Sequence, residues 1–239
     1  VTDFLACSRV AEVPASISPL EFYRRFVAAS QPCVFRGSQG DAGIFDHWRA
    51  RELWHDDAYL IEKCGDLVVT ANYTPDGHGD CIREGDKFVK PEERRVPFVD
   101  VWQQLIGGGS RDGVPYCSIQ NDSLRQEYQP LMEDIDVDGI ALANEALGTK
   151  LEAANIWIGD ERSVSSVHKD PFENFYCVVR GAKKIVLLPP TDAPYLGEKR
   201  FRQSTYHQSE GTGPFEIRLD DGGGWVPWCE VDPLFPDLQ

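Results

Sequence analysis

The chain has 239 residues, 41% hydrophobic and 26% charged, enough to bury a core without disulfide or metal staples. Lys and Arg number 24 against 39 Asp and Glu, a formal charge of −15, which argues against gripping nucleic acid by its phosphates and suits a basic protein or peptide as partner. Aromatic residues at 11% exclude a solvated coil, and no apolar run reaches the roughly 20 residues of a membrane-spanning helix.

Seven cysteines, at 7, 33, 64, 81, 117, 177 and 229, include no C-x-x-C pair. That pattern fits neither a zinc ribbon nor a disulfide framework, so a reduced, intracellular setting, cytoplasmic or nuclear, is expected. The N-terminus shows no signal peptide and no initiator Met, as a fragment would.

In chain order, SPLEFYRRFVAA predicts a helix with Ser18 as cap, Pro19 at the first position and Glu21 completing a capping box. PCVFRG (32–37) predicts a short buried strand, and PFVDVWQQLIGGG a helix whose Phe98, Val101, Trp102, Leu105 and Ile106 share a stripe, ended by Gly107 to Gly109. A third helix is expected over Ile140 to Leu147, closed by Gly148. DLVVTANYT, VPYCSIQN, AANIWIG, SVSSVHKD, ENFYCVV and KKIVLLPP read as strands, the last two as a hairpin turning through Arg180–Gly181–Ala182. The expectation is one α+β domain over 1–239, with a helix-rich part (1–112) and a β core (113–239).

Three of the five histidines carry an Asp two positions on: His55/Asp57, His78/Asp80 and His168/Asp170. On a strand such a pair shares one face and can chelate one ion; on a helix it cannot. His55 lies in a charged stretch and His78 in a turn-rich loop, where surface roles are expected, while His47 and His207 lack a carboxylate partner at this spacing. His168 sits between two expected strands among polar residues, and the pair His168/Asp170 is two-thirds of the 2-His-1-carboxylate triad that holds Fe(II). From the pattern alone, a metal site and a surface His–Asp pair both stay open.

At these residues the sequence resembles the JmjC family of Fe(II)/2-oxoglutarate oxygenases. The matches run along the whole chain and in order: EFYRRFVAASQPCVFRG, TPDGHGD, KFVKPEERRVPF, the N-x-W-x-G-D run at Asn155, HKDPFENFYCVVRGAKK, PPTD and VPWCEVDPLFPDL. The resemblance implies a double-stranded β-helix of the cupin or jelly-roll type with helices packed outside. It also implies His168 and Asp170 as metal ligands. Lys183 would pair with the distal carboxylate of 2-oxoglutarate, with the neighbouring Lys184 as the alternative. Tyr116, Asn174 and Ser165 would also contact the cosubstrate, Ser165 requiring a local bend because strand parity favours Ser166.

The implied chemistry is Fe(II)- and 2-oxoglutarate-dependent use of O2 to hydroxylate a protein, on lysine, with a translation-associated GTPase as substrate. The family's second histidine ligand lies well past D-P-L-x-P-D-L, whereas this chain stops at Gln239. The barrel is therefore expected to be incomplete at its C-terminal end, through truncation or in a naturally shortened, inactive form. The alternative function is a non-catalytic cupin-like protein-interaction module. Expected partners are a protein substrate and a second copy in a homodimer, without nucleic acid or membrane.

Overall fold

The computed structural model describes residues 10–36, 43–107, 113–136, 140–209 and 213–233. Cys7, Gly37, Gly108, Gly109 and the chain from Leu234 onward lie outside the described residues.

Strand β1 (Ala11–Val13) pairs in parallel with β2 (Cys33–Phe35), which is half-buried. Between them, helix α1 (Pro19–Phe22) runs on into a π-helical turn over Tyr23–Val27. Ser18 caps it, its Oγ accepting from the Glu21 amide at 3.2 Å. The Glu21 carboxylate, however, turns to Arg25 at 2.7 Å, so only half of the expected capping box forms. Helices α2 (Ala50–Leu53) and α3 (Asp57–Cys64) lead to β3 (Val68–Thr74). Then come β4 (His78–Gly79), β5 (Cys81–Arg83), β6 (Lys87–Lys90), β7 (Glu92–Pro97) and helix α4 (Phe98–Ile106). Strand β8 (Val114–Tyr116) precedes helices α5 (Ser123–Glu127) and α6 (Ala141–Leu147), and Gly148 closes α6 at φ +65°. The chain ends its regular structure with β9 (Val164–Ser165), β10 (Lys199–Gln208), β11 (Phe215–Leu219) and β12 (Trp225–Trp228).

The strands form a β7-β3-β8 antiparallel sheet, a sheet ordered β11-β10-β6-β5 with β12 also on β10, and the small pairs β1-β2 and β4-β9. Among the described residues they do not close into a barrel. Strand β3 shows how the sequence divides the molecule. Val69, Ala71 and Tyr73 point one way, into the main core with Leu60 and Cys64 of α3, Phe98, Val101 and Trp102 of α4, and Leu124, Tyr128 and Leu131. The alternate face carries Thr70, Asn72 and Thr74, the last two buried although polar. A smaller core joins Val13, Ile17, Phe22, Phe26 and Ala146.

Several expectations are corrected. Strands begin well before residue 113, with β1 to β7 interleaved among the helices. AANIWIG makes only the isolated bridge Cys117↔Ile158, and VPYCSIQN is a strand only over its first three residues. The ENFYCVV/KKIVLLPP hairpin makes no ladder: residues 171–189 lie outside any strand, and Ile185 and Leu187 are exposed. A strand needs a neighbour to take its backbone hydrogen bonds, and no described strand lies against this segment. Arg180, at the expected turn, instead ties it to the helices, bonding Asp57 at 2.7 Å and the Trp54 carbonyl at 3.1 Å.

Candidate functional site

The site is built where the polar face of β3 meets β8 and the β4-β9 pair. Asn72 stands opposite Tyr116 in the β3–β8 register, and Ser118 follows Tyr116 by two, so all three rise from one face. They line a cavity with Thr74, Asp80 and Ser165. Two glycines allow the close approach. A Cβ on Gly77 would sit 1.9 Å from the Arg162 carbonyl oxygen, and φ +91° there suits glycine alone. The Gly77 carbonyl is thus free to accept from the Val164 amide at 2.9 Å, which seats β9 beside β4. Gly159 makes room for the Tyr116 ring, whose Cδ2 would be 2.6 Å from an added Cβ.

His168 and Asp170 come together, though not on a strand. Regular pairing stops at Ser165, and the chain bends at Val167. Beyond that bend His168 Nε2 lies 3.5 Å from Asp170 Oδ2, both side chains half-exposed. The His168 Nδ1 lies 2.7 Å from the Ser166 carbonyl oxygen. An Nδ1–H donated to that carbonyl leaves the Nε2 lone pair toward Asp170, the state a metal-ligating histidine needs. The ring also stacks on Trp228, with centroids 6.2 Å apart and planes 11° from parallel. Trp228 in turn donates from Nε1 to Ser166 Oγ at 2.9 Å, and the Ser166 hydroxyl donates to the Asp80 carbonyl. Asp80 links this pair to the cavity: burial raises its carboxyl above the usual range, opposed first by the nearby His168.

The same bend sorts the two serines. Ser165 faces the cavity, while Ser166 is spent on Trp228 and Asp80. Lys183 places Nζ 3.4 Å from the Tyr116 hydroxyl and 5.3 Å from the centre of its ring. Desolvation there lowers its pKa, while burial, then Tyr176 and Cys117, push that of Tyr116 up. No hydrogen bond draws Lys184 to Tyr116. Asn174 is exposed and takes no part in lining the cavity, so the structure does not bring it to the other candidates.

The remaining histidines are engaged elsewhere or simply apart. His78 Nδ1 turns to Asp76 at 3.5 Å, and His207 faces Glu92 at 3.9 Å. Among the described residues no group of three His, Cys, Asp or Glu side chains is placed to hold a metal ion, so His168 and Asp170 are a two-donor set. All six described cysteines are free, and among the described residues no helix is long and apolar enough to cross a membrane. Sequence reasoning missed Trp228 and Asn72, and weighed Asp80 only as the partner of His78. Trp228 and Asp80 are more than 50 positions from His168 in the chain, and no local period links them to it.

The strands, the buried polar face and the His–Asp pair define a cupin-like domain of mixed helices and sheets. The Cupin-like domain family matches residues 19–239. Human bifunctional peptidase and (3S)-lysyl hydroxylase JMJD7 is 35% identical over 99% of this chain and 74% of its own length. JmjC domain-containing protein E of Dictyostelium discoideum is 34% identical over 97% of the chain and 68% of its own length. Lysine-specific demethylase JMJ32 of Arabidopsis thaliana is 37% identical over 90% of the chain and 61% of its own length. The chain belongs to the JmjC group of the cupin-like family and has its α+β jelly-roll fold.

Proposed function

We propose that the protein is an Fe(II)- and 2-oxoglutarate-dependent oxygenase that hydroxylates a protein substrate on a lysine side chain. The observation that carries this reading is the pairing of two preparations in one region. His168 is held by the Ser166 carbonyl with Nε2 3.5 Å from Asp170 Oδ2, and Lys183 stands at Tyr116 beside a polar cavity. The imidazole and carboxylate donors suit Fe(II), and His168 and Asp170 are the residues that would hold it. Bound there, iron and 2-oxoglutarate would supply oxygen activation, which protein side chains alone do not.

The chain's own residues do the rest. Lys183 and Tyr116 bind and orient the acid by charge and hydrogen bonding, Ser165 contributes a hydroxyl to the cavity wall, and Trp228 with Ser166 fixes the His168 ring. Asn174 belongs to the proposal by the family resemblance alone, since it is exposed and does not line the cavity. The lysine preference rests on the name of the human relative, and the surplus of acidic side chains suits a lysine-bearing substrate. A translation-associated GTPase as substrate, a homodimer and a cytoplasmic or nuclear location belong to the same reading.

The test is 2-oxoglutarate consumption by the full-length protein that carries this chain, with added Fe(II), alone and with lysine-containing protein substrates, read by succinate formation and by the mass of one added oxygen atom on the substrate, as the implied hydroxylation requires. Substrate-stimulated turnover that His168→Ala abolishes supports the reading. Turnover indifferent to His168 refutes it.

A further inference from the structure

Helices α1 and α6 meet over an open groove of about 360 Å³, lined by Pro19, Leu20, Tyr23, Glu145 and Ala146. Its floor belongs to the smaller core, where Ala146 is buried with Phe22 and Phe26. Its α1 wall does not: Leu20 is 58% exposed and Tyr23 45%. Residues three apart on a helix are neighbours, so these two make one apolar patch rather than two scattered side chains. The α6 wall carries a carboxylate. Glu145 is exposed, and among the described residues no cation pairs with it, Arg24 of the adjoining turn included. Glu21 of α1, by contrast, is taken by Arg25 at 2.7 Å. The groove thus combines apolar walls with one uncompensated negative charge. A lysine or arginine side chain fits that combination: its methylenes cover apolar surface, its cationic head reaches a carboxylate, and the Tyr23 ring offers the cation an attractive face. A purely apolar ligand would strip water from Glu145 without replacing it, and an acidic one would be repelled by Glu145 and by the net charge of −15.

We propose that the α1–α6 groove is a docking site for a basic segment of a protein partner, seating a lysine or arginine side chain against Leu20 and Tyr23 with its charge toward Glu145. The groove shares no residue with the cavity beside Tyr116 or with the His168–Asp170 pair, so the proposal does not rest on the function proposed above. Apolar contact supplies most of the affinity and Glu145 supplies the choice of a cation.

The test is fluorescence anisotropy of a short labelled peptide alternating leucine and arginine, and of its citrulline analogue, titrated with the full-length protein that carries this chain. Citrulline keeps the shape of arginine and removes its charge. Glu145→Gln should weaken the arginine peptide about threefold, the size of an exposed ion pair, and leave the citrulline peptide unchanged. Leu20→Gln/Tyr23→Gln should weaken both peptides about tenfold. Glu62→Gln, an equal loss of charge at an exposed position of α3, should change neither. Glutamine is a good helix former, and Glu145→Gln alone carries the test if the double variant does not fold. A native protein that binds neither peptide, or binds both equally, overturns the proposal. Equal weakening by Glu62→Gln and Glu145→Gln assigns the attraction to the net charge and overturns it. A dimer in sedimentation that Leu20→Gln/Tyr23→Gln dissociates gives the groove to a second copy and overturns it as well.

Discussion

Replacing Lys183 by methionine keeps most of the aliphatic stem and removes the charge. The ammonium lies 3.4 Å from the Tyr116 hydroxyl, over the ring, on a side chain that is otherwise open to solvent. A fully buried ion pair broken on one side costs roughly 3–5 kcal/mol, but that figure does not apply to a stem in water. A charge-assisted hydrogen bond of about 1.5–3 kcal/mol is the better measure, with the lower half favoured by solvent screening. Lys183→Met should therefore weaken 2-oxoglutarate about ten- to thirtyfold. The loss should appear in the KM for 2-oxoglutarate and in its Kd by titration, with the melting temperature nearly unchanged because no core residue is disturbed. Desolvation by partial burial lowers the lysine pKa, and a bound dianion would restore it, so binding should take up a fraction of a proton at alkaline pH. An unchanged Kd, or an equal loss in Lys184→Met, would refute the reasoning.

Three further outcomes test the frame around the site. Asp134 is 2% exposed and accepts from Trp54 Nε1 at 3.0 Å and Tyr59 Oη at 2.8 Å, so Asp134→Ala should lower stability by roughly 2–4 kcal/mol in urea unfolding, and Asp134→Asn by less. Gly77→Ala must meet the Arg162 carbonyl at a positive φ, so it should both lower the melting temperature and weaken 2-oxoglutarate binding by unseating Ser165; binding at native strength would contradict the seating role given to Gly77. At Asp160, burial raises the pKa, but hydrogen bonds from the Arg162 side chain and backbone and its charge outweigh it, so the folded value lies below 3.8. Stability from this pair is fully present above the unfolded value of 3.8 and is lost as pH falls from there through the lower folded value, so Asp160→Asn should flatten the acid limb of the stability curve; a limb of native slope would show the pair to be irrelevant.

How far the sequence discloses this site follows from what each signal measures. Period-two alternation in VTANYT predicts β3, because Val69, Ala71 and Tyr73 are buried apolar positions that alternate with Thr70, Asn72 and Thr74. Helix α4 is equally legible, since buried Phe98, Val101 and Trp102 of its apolar stripe and terminal Gly107 agree, although Ile106, expected on the same stripe, is exposed. The ten-residue β10 escapes notice because its buried positions include Ser204 and Gln208, which carry no hydrophobic signal. The opposite error occurs at ENFYCVV and KKIVLLPP, where β-propensity is high but no described strand supplies a partner. For the site, the spacing of His168 and Asp170 is visible, and the resemblance brings in Lys183, Tyr116 and Ser165. The tautomer-fixing carbonyl of Ser166 and the stack on Trp228 depend on long-range packing, which local patterns do not record.

The most direct test of the central claim, that His168 and Asp170 are the metal-holding pair, is Mn(II) binding followed by water-proton relaxation, with and without 2-oxoglutarate. The native 239-residue chain should bind Mn(II) more tightly when 2-oxoglutarate is present, since the acid adds ligands to a two-donor protein site. The His168→Ala/Asp170→Ala variant should lose that enhancement while keeping its melting temperature. Native-strength, 2-oxoglutarate-enhanced Mn(II) binding by the double variant would place the metal elsewhere and contradict the account.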